Sequence, residues 1–77
     1  MRQRKYLIAL REKMNLTQRQ VAKAINITTS YYGMIEQGVR TPKLDIAIKI
    51  ADFFGTNVKE IFFDNLDNKA SNTNQTA

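Results

Sequence analysis

Nine of the twelve lysines and arginines lie within residues 1–43, where only Glu12 and Glu36 oppose them, a local net charge of +7. Residues 44–77 carry Lys49, Lys59 and Lys69 against five acidic residues, a net −2, and the whole chain carries +5. Such a set suits recognition better than bond-making. The sequence holds no His and no Cys. Its carboxylates are not clustered at metal-ligand spacing, and Gly33, Gly38 and Gly55 each have an explanation within a helix, so no phosphate-cradling glycine loop is present. The residue types that catalysis usually needs are missing, and neither an enzyme nor a metal or cofactor is expected. A cation excess confined to one half points instead to a polyanionic partner.

The elements that must position these charges are announced by a phrase repeated eleven residues apart, Asn15-Leu16-Thr17 and Asn26-Ile27-Thr28. Asn tolerates the left-handed conformation that closes a helix, and Thr is a good N-cap for the next one. The apolar residue between them can staple the new helix to the core. Both phrases also match the N-glycosylation pattern, but with no apolar N-terminal run to act as a secretion signal the helix reading prevails. Two short helices meeting at a tight corner are therefore predicted, the layout of a helix-turn-helix. A first helix is predicted from about Arg4 to Met14, with Leu7, Leu10 and Met14 on one face. A second starts at the Thr17–Gln20 capping box, buries Val21, Ala22 and Ile25, and leaves Gln18, Arg19 and Lys23 outside. A third covers Thr29 to Gln37, buries Tyr32 and Ile35, and stops at Gly38.

A fourth helix is predicted from about Lys43 to Phe54, with Leu44, Ala47, Ile48, Ala51 and Phe54 inward and Gly55 as its stop. A short fifth begins at Asn57 with a capping box to Glu60 and packs Val58, Ile61 and Phe62. No strand signal competes, so the fold class is all-α. The folded domain is expected to span residues 1–63. Residues 64–77 read as a disordered polar tail, too poor in apolar side chains to offset the entropy of ordering. No stretch approaches transmembrane length, and the absence of cysteine fits a reducing, cytoplasmic setting.

In this order the motifs resemble the phage repressor and Cro type of helix-turn-helix, the Xre-like family. The resemblance lies in Leu10-Arg11-Glu12-Lys13, Leu16-Thr17-Gln18, Val21-Ala22 and Ile35-Glu36-Gln37-Gly38. It continues through Arg40-Thr41-Pro42, Ile50-Ala51, Phe54-Gly55 and Ile61-Phe62. Asn15 and Asn26 stand where the family usually has Gly, and Lys43 where it often has Ser, which leaves the fourth helix without a good side-chain cap. The resemblance implies a compact five-helix, lambda-repressor-like domain whose second and third helices form the helix-turn-helix. It implies a sequence-specific double-stranded DNA-binding regulator, a repressor acting as a homodimer on a palindromic operator.

The third helix would then enter the major groove. Opposite Tyr32 and Ile35 it carries Ser30, Gly33, Met34 and Gln37, with Thr29 at the leading edge. These are the candidate base contacts, with Gly33 suited to a close approach of backbone to DNA. By position in the family, Gln18, Arg19, Tyr31, Arg40 and Lys43 resemble phosphate contacts, and Arg11 with Glu36 a structural ion pair. Arg2, Arg4 and Lys5 sit where a helix dipole disfavours cations, either as a DNA-binding arm or as a frayed, solvated terminus. Ile46, Ile50 and Phe53 form a second apolar stripe on the fourth helix. Ile50 is expected inside, and Ile46, Phe53 and Phe63 are the candidate dimer interface. The alternative function is an antitoxin-type module whose fifth helix and tail bind and neutralise a partner protein, which the same fold would serve equally well.

Overall fold

The structure is a computed structural model and describes residues 3–63; the segment 64–77 read as a disordered tail lies outside the described residues, as does Arg2. Five helices follow one another, α1 Lys5–Lys13, α2 Gln18–Ala24, α3 Thr29–Gln37, α4 Leu44–Phe54 and α5 Val58–Phe62. No strand occurs among the described residues. The all-α reading holds, and each helix limit falls within a residue or so of its predicted place.

The stops are made by one device used four times. At the end of α1, Asn15 takes φ 58° and its N–H donates to Glu12 O, while Leu16 N–H donates back to Arg11 O. Asn26 takes φ 65° at the end of α2, with Asn26 N–H to Lys23 O and Ile27 N–H to Ala22 O. Gly38 and Gly55 repeat the pattern for α3 and α4 at φ 79° and 72°. Each pair of bonds satisfies carbonyls that the helix end leaves open, and each needs a residue that accepts positive φ. The starts are equally local. Thr17 Oγ1 accepts from Gln20 N–H at 3.0 Å while Gln20 Oε1 accepts from Thr17 N–H at 2.8 Å, which completes the capping box. Thr28 Oγ1 caps α3 through Tyr31 N–H, and α4 begins at Lys43 without a side-chain cap. At α5, Asn57 Oδ1 accepts from Glu60 N–H, but the predicted return bond is replaced. Glu60 Oε1 instead accepts from Thr56 Oγ1 at 2.6 Å.

Leu7, Val21, Ala22, Ile25, Tyr32, Ile35, Ile50, Ala51 and Ile61 form the core, drawn from all five helices. Two predicted faces were misaligned. Met14, assigned with Leu7 and Leu10, is the residue before the Asn15 stop and is 49% exposed. On α4 the inward face is rotated toward the second stripe. Ala47, Ile50 and Ala51 are buried and Ile46, Phe53 and Phe54 pack partly against the core, whereas Leu44 and Ile48 are 66% and 44% exposed. The inward face draws on both stripes: the small Ala47 and Ala51 let the helix approach the core closely, Ile50 fills the space between them, and the longer Leu44 and Ile48 are left outside.

Candidate nucleic-acid interface

The corner between α2 and α3 is braced by a charge buried beneath it. Glu36, on the last turn of α3, is only 1% exposed. Arg11 of α1 meets it in a two-pronged pair, Nε to Oε2 at 2.6 Å and Nη2 to Oε1 at 3.1 Å. The remaining prong donates to Leu16 O at 2.9 Å, and Gln18 Nε2 donates to Glu36 Oε1 at 2.9 Å. One network thus joins α1, the turn that follows it, the start of α2 and the end of α3. Burial alone would raise the Glu36 pKa, but the bonds from Arg11 and Gln18 outweigh it and hold the carboxyl below its ordinary value. The Glu36 partner bond raises Arg11 in turn. Tyr32 Oη is buried beside this group with no partner in good hydrogen-bond geometry, and burial first, then its close interaction with the Glu36 carboxylate, pushes its pKa far above the usual range.

Above this brace, Thr29, Ser30, Met34 and Gln37 of α3 are all exposed. Gly33 lies in the same file and is half-buried, because the Gln18 amide from α2 fills the space beside it. The missing side chain at 33 is therefore accounted for by contact between the two helices. Gln18, predicted to lie outside, is half-buried and anchored to Glu36. Its amide nitrogen carries two hydrogens, so one donor remains beyond that bond. Arg19 is exposed at the start of α2, and Arg40 and Lys43 are exposed in the segment between α3 and α4. Tyr31 packs partly against the core. Of the three residues assigned to a dimer interface, Phe63 is exposed, whereas Ile46 and Phe53 lean on the domain's own core. Phe53 also meets Phe54 edge to face, with ring centroids 4.9 Å apart.

Arg4 is neither a loose terminus nor an arm. Its N–H donates to Glu36 O at 2.7 Å. Its guanidinium donates to Ile35 O at 2.7 Å, to Arg40 O at 3.2 Å and to Thr41 Oγ1 at 3.4 Å. It also stands over the Phe62 ring, 5.0 Å from the centroid. Burial lowers its pKa, yet a guanidinium stays charged at any physiological pH. The dipole objection at the start of α1 is met at the end of α3, where a cation is favoured. Sequence spacing held no sign of this, since the partners lie 31 to 37 residues away.

Among the described residues no group of acidic or thiol and imidazole side chains could hold a metal ion, and no helix is long and apolar enough to cross a membrane. Residues 7–61 match the helix-turn-helix family. The chain is 36% identical over 72 residues to YqaF of Bacillus subtilis, an uncharacterised HTH-type transcriptional regulator, covering 94% of this chain and 93% of that one. It is 42% identical over 48 residues to another such regulator from Methanocaldococcus jannaschii, with 62% of this chain and 73% of that one aligned. A 63-residue alignment at 35% identity relates it to the transcriptional repressor RstR of the cryptic phage CTXphi in Vibrio cholerae, covering 78% of this chain and 57% of RstR. The start and stop signals, the exposed file on α3 and the brace under it all sit inside the matched segment, and the chain belongs to the Cro/C1-type helix-turn-helix family of DNA-binding transcriptional regulators.

Proposed function

We propose that the protein is a cytoplasmic transcriptional repressor that binds a two-fold symmetric DNA operator as a homodimer, with α3 in the major groove. The observation that carries this reading is the exposed file of Thr29, Ser30, Met34 and Gln37 on a helix whose opposite face is locked to α1 and α2. Gln37 can read an adenine edge with two bonds, the hydroxyls can bond to several bases, and Met34 and the Thr29 methyl suit thymine methyl groups. Arg19, Arg40 and Lys43, with Gln18 and Tyr31 beside them, supply the phosphate contacts that set register without reading sequence. The likeness to RstR supports repression. The reading needs no metal and no cofactor.

Leu44 and Ile48 on α4 and Phe63 just after α5 are exposed apolar side chains, and a second copy would cover them. Recognition helices of such a dimer would lie about 34 Å apart and address half-sites about 10 bp apart. The test begins with selection of duplexes from a random pool by the purified protein, followed by affinity measured across a salt series. If the dimer neutralises about 6–8 phosphates, log K falls with log salt at a slope near −5 to −7. Absence of DNA binding even at low salt removes the reading. Sedimentation should show a dimer on the operator that Leu44→Glu with Ile48→Glu converts to a monomer; a wild-type monomer both free and bound removes the homodimer.

A further inference from the structure

Arg4 closes the end of α3 from outside the helix. Its N–H on Glu36 O and its guanidinium on Ile35 O satisfy carbonyls of the last turn, where an α-helix has few partners of its own. The same guanidinium takes hold of the following segment at Arg40 O and Thr41 Oγ1. That segment, residues 38–43, contains the exposed side chains of Arg40 and Lys43. Its other tether is on the α3 side, where Val39 and Arg40 N–H both donate to Met34 O. Phe62 of α5 supports the guanidinium from beneath. Four parts of the chain therefore meet at one cation, and the backbone of Arg40 is held by α3 through its N–H and by Arg4 through its carbonyl.

We propose that Arg4 is a positioning residue for DNA binding: it fixes the segment after α3 so that Arg40 is presented to a phosphate, without touching DNA itself. The proposal rests on the reading of Arg40 as a phosphate contact. The Arg4 guanidinium is engaged by three protein oxygens and an aromatic face, which leaves it poorly placed to serve a phosphate as well. Lysine cannot substitute, because an ammonium lacks the planar fork that spans separate acceptors while lying on a ring.

A thermodynamic cycle on the full chain tests this, with the selected operator duplex as probe and melting followed by circular dichroism. Arg4→Lys keeps the net charge, so a purely electrostatic role predicts no change. We expect it to weaken operator binding about five- to tenfold and to lower the salt slope by up to about one unit, the share of one phosphate contact. In an Arg40→Ala background the same substitution should change affinity by less than about twofold, because the contact it positions is gone. Thr41→Val removes one acceptor with little change of shape and should show a smaller loss with the same dependence on Arg40; it carries the test if Arg4→Lys does not fold. Equal losses in both backgrounds, or no loss in either, overturn the proposal while the DNA-binding reading stands. A wild-type protein that binds no duplex overturns both, whereas an Arg40→Ala variant that binds as wild type does removes the Arg40 phosphate contact and this proposal with it and leaves DNA binding standing.

Discussion

Gln18 lies across Gly33 so closely that a β-carbon at residue 33 would stand 3.2 Å from Gln18 Oε1. The three nearest atoms around that position all belong to Gln18. Gly33→Ala should therefore gain helix propensity worth about 0.5–1 kcal/mol and spend part of it in moving the amide. In a Gln18→Ala background the obstruction is absent, and Gly33→Ala should stabilise by about that full amount. Urea denaturation of the four variants reads the difference. A gain no larger in the double variant would mean that Gln18 does not limit this position.

The brace under the corner should be costly to break and cheaper to replace. Arg11→Ala leaves Glu36 buried without its main partner and should destabilise by about 3 kcal/mol or more. Arg11→Met with Glu36→Leu removes both charges and should recover much of that loss. Glu36 also gives the acid limb its sign. Its folded pKa lies below the ordinary 4.5, so its contribution is present above that value and disappears as pH falls through the folded pKa. Denaturation midpoints should drop on acidification below about pH 4.5, and the Glu36→Leu pair should flatten that limb. An unchanged acid limb in the pair would place the acid sensitivity elsewhere.

Tyr32 contributes chiefly its ring, with its hydroxyl desolvated beside the Glu36 carboxylate. The side chain is fully buried and Oη has no partner in good hydrogen-bond geometry. Tyr32→Phe should leave stability within about 1 kcal/mol of wild type or raise it, since no bond is lost and a desolvated oxygen is removed. The raised phenol pKa makes the folded state favour the neutral form, so stability present at lower pH is lost as pH rises above the ordinary value of 10.0 toward the folded one. Tyr32→Phe should soften this alkaline loss in denaturation measured between neutral pH and pH 11. A loss of several kcal/mol at neutral pH would reveal a bond the structure does not contain.

Base reading and phosphate anchoring should separate by residue. Arg40→Ala should weaken binding to operator and random duplexes alike and flatten the salt slope by about one unit. Met34→Ala and Ser30→Ala should instead narrow the gap between the two duplexes, by no more than the roughly 1–3 kcal/mol of a strong bidentate contact. Their salt slopes should stay near wild type. Parallel titrations with both duplexes decide it. If both α3 variants lose equally on the two, helix α3 does not read bases as assigned.

Helix limits were legible because their signals are short-range. Asn15, Asn26, Gly38 and Gly55 act within six residues of themselves, and Thr17, Thr28 and Asn57 within three. The outward file on α3 followed from Tyr32 and Ile35 facing in, which left one opposite side. The facing of α4 was harder to read. Leu44, Ala47, Ile48, Ala51 and Phe54 make one helical stripe and Ile46, Ile50 and Phe53 another, so periodicity alone could not say which would be covered. Gln18 could be placed on α2 but not on Glu36, 18 residues along the chain. Arg4 was misread for the same reason. A cation's cost at one helix end is local, while its benefit at another depends on the completed fold.

The two classes of contact also differ in when they are worth making. A stop formed by Asn15 or Asn26 closes a loop of a few residues and can form and dissolve in the unfolded chain many times before anything else is in place. The Arg4 tie to Arg40 and Thr41 closes loops of 36 and 37 residues. Its loop-closure entropy is recovered only once α3 already has an end to hold and Phe62 has arrived. The Arg4 tie is therefore expected to form late in folding, where interactions govern how long the native state survives more than how quickly it is reached.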